Sequence, residues 1–416
     1  MLSFRRRLST ILAHLGEEGI AARWIVLNAT LAIVGVVGIY VSISPTVNIA
    51  LAGLSAVMLL SDVLRYRREQ GRTTFVRRQI DDFVDVKRSL AADGRSRIIA
   101  IHGQTFVLDQ EVSRLIGENT LSAFVRPNRY VLRAELKKFG GRYRRERLAK
   151  TSEIFDGPVL GWGSSVSDAS LLGPTVELVS GTFFDRLATD YFAAVDTRWD
   201  GIQTLIDGRR LYIDRNGSLR DFGESWLFNG IGVSTIAITS DGMLVLTEQS
   251  VRNVGEPGLL APSGSGSLEP RDFAHSERRT VAELAIAGAN RELQEEASVD
   301  PLDIEESLFL GFGRWLNKAA CPEMFSVTFL NIDSHELRRR KRRQEERIYV
   351  DGVSTIRPVL DIAEWNDCDP LEIVPESERA RVSLPLGVNL TLLVHSVIDN
   401  QKPLLVSKLG RLLQHD

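Results

Sequence analysis

The sequence predicts an α+β protein that begins with a transmembrane helical hairpin. Two long apolar runs near the N-terminus, Trp24–Ile43 and Thr46–Leu64, predict the hairpin. Farther along, an Asp241-Gly242 turn separates the runs Gly232–Thr239 and Met243–Glu248, a pattern typical of two paired strands. The stretch Glu283–Val299 repeats its apolar residues at helical spacing. We therefore expect a domain of strands and helices joined to a membrane anchor.

The composition sets limits on function. The chain has 416 residues, enough for more than one domain at about 150 residues each. A net charge of -3 argues against a dedicated nucleic-acid binder. The two cysteines, Cys321 and Cys368, are far apart in the sequence, so they predict neither a disulfide framework nor a cysteine metal site. A reducing compartment suits such a chain.

The predicted hairpin consists of two apolar runs separated by Ser44-Pro45. The first run carries no charge over about 20 residues, enough to cross the hydrocarbon core of a bilayer. A signal peptide is disfavoured because no small-residue cleavage site follows, and a buried soluble hairpin is the remaining alternative. Arginines on both flanks place both ends in the cytoplasm: Arg5, Arg6, Arg7, Arg23, Arg65, Arg67, Arg68, Arg72, Arg77 and Arg78. We therefore expect a multi-pass protein of the inner (cytoplasmic) membrane with its remaining domains in the cytoplasm.

Shifts in composition divide the chain into five regions. These are a basic leader (1–23), the two transmembrane helices (24–64), a basic α/β linker region (65–150), a β-rich segment (151–227) and a C-terminal domain (228–416). The linker region is expected to hold a helix at Phe75–Ala92 and a strand at Arg97–His102. The two regions after it are expected to hold a terminal helix at Leu386–Ile398 and further strands at Val159–Trp162, Thr175–Val179, Leu211–Asp214, Leu308–Trp315 and Met324–Asn331. Two basic runs, Leu132–Lys150 and Arg338–Arg343, are interpreted either as solvated surfaces or as surfaces that face anionic headgroups or phosphates.

The stretch Glu283–Val299 contains the candidate metal-binding residues. Glu292, Glu295 and Glu296 stand at relative positions 0, 3 and 4, so a helix places them on one face. Like charges at this spacing repel, and hard divalent cations such as Mg²⁺ or Mn²⁺ would relieve the repulsion because they prefer oxygen ligands. The plainer alternative is a solvated acidic face. The spacing predicts a metal site.

The surrounding residues read E-x7-R-E-L-x-E-E-x-x-V from Glu283, with Arg291 at the centre. This resembles the Nudix box, G-x5-E-x7-R-E-U-x-E-E-x-G-U, where U is apolar. Two positions differ: Ser298 stands where the late glycine belongs, and Glu277 stands where the first glycine belongs. Gly266 is the nearest upstream candidate for that first glycine, which implies an insertion between it and Glu283.

Further motifs resemble the Nudix branch that hydrolyses UDP-glucose and UDP-galactose. They lie between about residues 155 and 400: Trp226–Gly230, Gly232–Leu246, Pro257–Leu259, Pro262–Gly264, Glu269-Pro270 and, ahead of them, Phe184–Asp190. The resemblance implies that the C-terminal domain is a Nudix α/β/α sandwich preceded by a small β-rich segment. It also implies a long insertion before the acidic helix.

The resemblance implies roles for individual residues. Glu292, Glu295 and Glu296 would bind Mg²⁺ or Mn²⁺, and Arg291 would pair with Glu283 to hold the loop and the helix together. Candidate substrate contacts lie in the loop before the helix: Arg252, Ser263, Gly264 and Gly266. The expected partners are a small molecule linked to a nucleoside diphosphate, the lipid bilayer and a second copy of the chain, but no specific nucleic acid.

Three functions remain open at this point. The first is a membrane-anchored hydrolase that cleaves the diphosphate of a UDP-sugar-like molecule with a divalent metal. The second is a membrane effector whose Nudix-like domain senses a nucleotide signal without turnover. The third is a scaffold in which the same domain binds another protein.

Overall fold

The computed structural model describes residues 53, 56–58, 60, 61, 64, 72–77, 83–150, 156–165, 175–250, 258–274, 280–340, 350–360, 362–366, 368–398 and 403–413. The strands are β1 (Thr73–Arg77), β2 (Ser96–Ile101), β3 (Gln104–Asp109), β4 (Ser122–Val125), β5 (Pro158–Trp162), β6 (Thr175–Thr182), β7 (Val195–Trp199), β8 (Gln203–Ile206), β9 (Gly232–Ile238), β10 (Leu244–Gln249), β11 (Leu260–Ala261), β12 (Gly264–Ser267), β13 (Ile304–Trp315), β14 (Cys321–Leu330) and β15 (Val350–Ile356). The α-helices numbered here are α1 (Val84–Asp93), α2 (Gln110–Gly117), α3 (Ala134–Lys150), α4 (Phe183–Arg186), α5 (Pro270–Ala274), α6 (Val281–Glu296), α7 (Ser334–Arg339), α8 (Glu376–Arg379), α9 (Leu384–Ile398) and α10 (Pro403–Leu412).

The chain forms two compact units. The smaller unit comprises Met1–Arg78, Leu132–Phe155 and Leu187–Gly208, and the larger comprises Gln79–Val131, Asp156–Arg186 and Arg209–Asp416. The five regions predicted from composition stay a prediction.

The smaller unit contains a three-stranded antiparallel sheet in the order β1-β7-β8. The Phe75 ring lies 5.2 Å from the Tyr143 ring and 6.1 Å from the Phe192 ring, centroid to centroid. The basic helix α3 approaches closely at Gly140, where a Cβ would lie 2.1 Å from the Ala188 carbonyl oxygen. Phe75 was expected to begin a helix but lies in β1, so that prediction is wrong at its start.

The larger unit is organised around a mixed sheet of nine strands. Its main path is β11-β10-β9-β14-β13-β3-β2, with β12 paired to β9 and β15 paired to β10. The β9–β14 pair is parallel and the other pairs are antiparallel. Helix α6 packs its apolar residues with Val233 and Met324, whereas α9 packs with Ile236 and Phe325. Because neighbouring residues of a strand point to opposite faces, the two helices cover opposite faces of the sheet.

A second, smaller sheet in this unit has the order β4-β6-β5. Its strands β5 and β6 confirm the strands expected at Val159–Trp162 and Thr175–Val179. The strand expected at Leu211–Asp214 is wrong, because a 3₁₀ turn ends at Leu211 and an isolated bridge follows at Ile213.

The predicted fold class, a Nudix α/β/α sandwich with a preceding β-rich segment and a transmembrane hairpin, is wrong as stated. The large sheet extends beyond the expected C-terminal domain, because the β2–β3 hairpin joins it through pairing of Val107 with Arg314. A turn with positive φ at both His102 (47°) and Gly103 (76°) connects the two strands, as hairpins of this kind require. Pairing between segments 200 residues apart leaves no local pattern in the sequence.

The membrane hairpin is the second correction. Among the residues that the structure describes, no helix has the length and apolar character needed to cross a membrane. A multi-pass membrane localisation is therefore not supported. The run Trp24–Ile43 and most of Thr46–Leu64 lie outside the described residues. Hydropathy measures the composition of a window, whereas a span also needs a continuous helix of about 20 residues.

Candidate functional site

The candidate site is built around helix α6, whose start is fixed by a capping box. The Thr280 hydroxyl accepts a hydrogen bond from the Glu283 backbone N–H, and the Glu283 carboxylate accepts from the Thr280 backbone N–H. This arrangement satisfies two backbone donors that the first helical turn leaves without partners. Glu283 is therefore engaged at the N-terminal end of the helix.

Arg291 lies at the centre of a group of carboxylates, here called the acidic cluster: Glu269, Asp272, Glu292, Glu295 and Glu296. Its guanidinium donates to both carboxylate oxygens of Asp272, at 2.8 and 3.2 Å. It also donates to Glu292 at 2.8 Å, to Glu295 at 3.3 Å and to the Ser267 carbonyl at 2.8 Å. A planar guanidinium suits such multiple contacts because its donors form a rigid fork. Arg291 thus joins α6 to the segment that precedes it.

The expected Arg291–Glu283 pair is replaced by the Arg291–Asp272 pair. Both Glu283 and Arg291 lie in one continuous helix, eight residues apart, which separates them by about 12 Å along the axis. Asp272 instead follows Gly266 with five residues between them, the spacing of the G-x5-E part of the Nudix pattern. That spacing is the signal by which the sequence could have identified Asp272. The insertion relative to the Nudix pattern would then lie between Asp272 and Arg291, rather than between Gly266 and the acidic residue that follows it.

The three candidate metal ligands lie on α6 near one another in sequence but have different partners. Glu292 accepts from Arg291, and Glu295 accepts from both Arg291 and Arg271, the latter at 3.0 Å. Glu296, which is buried, accepts from the Ser265 backbone N–H at 2.9 Å. A fourth carboxylate, Glu269, lies 2.7 Å from Arg271 and 3.7 Å from Arg291. Sequence reasoning gave no role to Glu269, Arg271 or Asp272.

Electrostatics single out Glu292 within this cluster. Burial, together with repulsion from Glu295 and Glu269, raises its pKa to about 7, although Arg291 acts in the opposite direction. Burial alone would lower the pKa of Arg291, but the nearby carboxylates of Glu292, Asp272 and Glu269 hold it above its usual value. The cluster therefore concentrates negative charge around a single buried guanidinium.

The segment around β12 lies directly against α6. A Cβ on Gly264 would be 2.3 Å from the Leu293 backbone nitrogen, and a Cβ on Gly266 would be 2.1 Å from a Glu292 carboxylate oxygen. At Gly264 the close atoms are backbone, so only glycine fits there, whereas a side chain at Gly266 would have to displace the Glu292 carboxylate. Ser263 has an interior role: it is fully buried, donates to the Val245 carbonyl and accepts from the Ala237 backbone N–H at 2.6 Å.

Arg252, the remaining predicted substrate contact, lies outside the described residues, as does Glu277. The site as described therefore brings together Gly264 and Gly266 with Glu292 and Glu296, while Ser263 is held inside the sheet.

Ser298, which stands at the late glycine position, has a φ of +57°. This left-handed conformation costs a residue with a Cβ about 1–2 kcal/mol and costs glycine little. Its hydroxyl is buried and has no hydrogen-bond partner in the structure. The backbone at Ser298 therefore has a conformation that glycine adopts more readily than serine.

We expect Ser298→Gly to raise the free energy of unfolding by roughly 0.5–1 kcal/mol, because glycine adopts this φ without steric cost. Urea denaturation of the wild type, Ser298→Gly and Ser298→Ala would measure it. The alanine variant removes the hydroxyl and keeps the Cβ, so a gain of equal size in both variants would contradict the backbone explanation.

The donor chemistry of the cluster fits a divalent cation. Glu292 and Glu295 offer hard oxygen donors, and their mutual repulsion is the condition that a bound cation relieves. Within the described part of the chain, however, no group of three or more His, Cys, Asp or Glu side chains is already arranged around a metal position. Arg291 and Arg271 supply the positive charge to these carboxylates in the structure.

Comparison with known proteins gives matches among solved structures but none among family models or curated proteins. Among solved structures, a crystal structure of DR0079 from Deinococcus radiodurans is similar over 31% of this chain and 67% of that chain, with 16% sequence identity and a TM-score of 0.21. A TM-score this low carries no argument about fold or function.

Proposed function

We propose that this chain is a divalent-metal-dependent hydrolase of the Nudix type that cleaves the diphosphate of a nucleoside diphosphate linked to another group. The observation that carries the proposal is the acidic cluster on α6, in which Glu292 and Glu296 lie against the glycine-containing strand β12 and Glu295 pairs with Arg291 and Arg271. The sequence resemblance to the UDP-glucose and UDP-galactose branch narrows the proposed substrate to a UDP-sugar.

Glu292, Glu295 and Glu296 would hold Mg²⁺ or Mn²⁺. When bound, the metal would neutralise charge on the diphosphate and lower the pKa of a bound water. The protein orients the carboxylates: Arg291 holds Glu292 and Glu295, and the Ser265 backbone N–H holds Glu296.

Before metal binds, Glu292 is the carboxylate of the cluster that most readily holds a proton, because burial raises its pKa to about 7. A cation held by Glu292 would favour its ionised form, so metal binding should release this proton and should strengthen as pH rises. The contact of Glu292 with the Gly266 backbone and with Arg291 limits the directions in which its carboxylate can turn.

A hydrolysis screen of the full chain tests the proposal. UDP-sugars, dinucleotides, coenzyme A derivatives and cyclic nucleotides would each be incubated with Mg²⁺ or Mn²⁺. We expect turnover of a UDP-sugar. The Glu292→Gln, Glu295→Gln, Glu296→Gln triple variant should lose at least about 10²-fold in kcat/KM, since removal of one residue that merely orients a metal ligand already costs up to about that much.

A matched control is available on α2. Glu111 and Glu118 are also helical glutamates paired with an arginine, Arg114, but they lie outside the acidic cluster. Glu111→Gln, Glu118→Gln should keep wild-type turnover. Turnover retained by the triple variant would refute the proposal, and tight nucleotide binding with no hydrolysis across the panel would favour nucleotide sensing instead.

A further inference from the structure

Ser267, at the end of β12, lies between two arginines. Its hydroxyl accepts a hydrogen bond from Arg186 at 2.7 Å, and its carbonyl accepts one from Arg291 at 2.8 Å. The two arginines come from separate helices, α4 and α6. Arg291 in turn donates to Glu292. A continuous series of three hydrogen bonds therefore joins Arg186 to the acidic cluster.

The Arg186 side chain is buried, with an exposed fraction of only 3%. The buried carboxylate of Glu323 lies 3.9 Å from it and also lies 3.6 Å from Lys318. Two glycines leave room for this pair: a Cβ on Gly230 would lie 2.8 Å from the Arg186 Cδ, and one on Gly232 would lie 1.8 Å from a Glu323 carboxylate oxygen.

This buried arrangement is costly to maintain. Taking a guanidinium out of water is unfavourable, and an ion pair recovers that loss only with good geometry and additional hydrogen bonds. An apolar residue of similar size would fill the same space at less cost. Packing alone therefore does not explain why an arginine, with its hydrogen bond to Ser267, occupies this buried position.

We propose that Arg186 is a positioning residue that acts through Ser267 to orient Arg291 and Glu292. A hydrogen bond from the Arg186 guanidinium holds the Ser267 hydroxyl, and through this residue it restrains the direction of the Ser267 carbonyl that receives Arg291. The orientation of Arg291 then sets the position of the Glu292 carboxylate. The effect of Arg186 on metal binding and turnover rests on the proposed function, whereas its effect on the positions of β12 and α6 does not.

Ser267→Ala tests this series with a minimal change of volume, and Arg186→Lys tests it while keeping the charge. We expect each variant to weaken Mn²⁺ binding to the full chain at least about tenfold, the usual effect of losing a residue that orients a metal ligand. Titration calorimetry measures the Mn²⁺ affinity. Without metal, amide hydrogen exchange should become faster across residues 264–268 and 291–296, and the double variant should be no worse than the more affected single variant.

Ser334→Ala is the matched control, because the Ser334 hydroxyl also donates a 2.7 Å hydrogen bond to a charged group, Asp241, away from the cluster. It should leave Mn²⁺ affinity and exchange at residues 264–268 unchanged. Wild-type behaviour of Ser267→Ala, an equal effect of Ser334→Ala, or fully additive effects of the two test substitutions would each overturn the proposal. If the wild type binds no Mn²⁺, the proposed function fails, and the exchange measurement alone decides the positioning role.

Discussion

Replacing Arg291 with leucine should lower the free energy of unfolding by about 3–5 kcal/mol. The substitution leaves the buried carboxylate of Asp272 and the largely buried carboxylate of Glu292 without their cation, and removing one partner of a buried ion pair typically costs this much. Asp272 is only 3% exposed and receives two hydrogen bonds from Arg291, so water cannot replace the lost partner. Chemical denaturation at pH 7 without divalent metal measures the effect.

Arg114→Leu provides the control. Arg114 also bridges two glutamates, but its side chain is about half exposed, so solvent screens its ion pairs. We expect little change in stability. Equal losses for Arg291→Leu and Arg114→Leu would contradict the role assigned to burial.

A second comparison identifies the partner of Arg291. Asp272→Asn removes the charge that Arg291 contacts and should destabilise the protein clearly. Glu283→Gln should change stability little, because glutamine also serves at this position of a capping box. If Glu283→Gln were the more damaging of the two, the pairing inferred from the Nudix spacing would be right and the Asp272 pair would not.

The second large effect is a pH dependence of stability that originates at Glu292. The pKa of this carboxyl is about 7 in the folded protein and about 4.5 in its ordinary state. Between these pH values the folded chain holds a proton that the unfolded chain has lost. Stability therefore falls as pH rises through this window, by at most about 3 kcal/mol at 1.36 kcal/mol per pKa unit.

Glu292→Gln removes this penalty because glutamine carries no charge. Without divalent metal, the variant should be more stable than the wild type at pH 8, and this advantage should shrink or vanish at pH 4. Adding Mg²⁺ at pH 8 should stabilise the wild type and have less effect on the variant, since a bound cation favours the ionised carboxylate. Thermal unfolding with and without chelator measures these differences, and parallel pH profiles for the two proteins would contradict the assignment.

Local patterns in the sequence predicted several elements correctly. The turn at Asp241-Gly242 between two strand-like runs identified β9 and β10, because a hairpin needs only neighbouring residues to form. Strands β13 and β14 and helix α9 likewise lie close to their expected positions at Leu308–Trp315, Met324–Asn331 and Leu386–Ile398. In long apolar segments of this kind, the order of residues within the segment is enough to predict a strand or a helix.

The membrane hairpin was predicted by the same local reasoning and was not supported. An apolar window shows that a segment would tolerate a bilayer, but it does not establish that the segment forms a spanning helix. Likewise, the pairing of β3 with β13 joins segments about 200 residues apart, and nothing near Val107 indicates Arg314 as its neighbour.

The acidic helix shows what each level of structure decides. The sequence by itself determined that Glu292, Glu295 and Glu296 share a helical face, since positions three and four apart always do. Only the tertiary structure decided that Asp272 is the partner of Arg291 and that Gly266 lies against Glu292. The physical reason is that a helix fixes the direction of its side chains over one or two turns, whereas burial and ion pairing depend on which distant segment packs against that face.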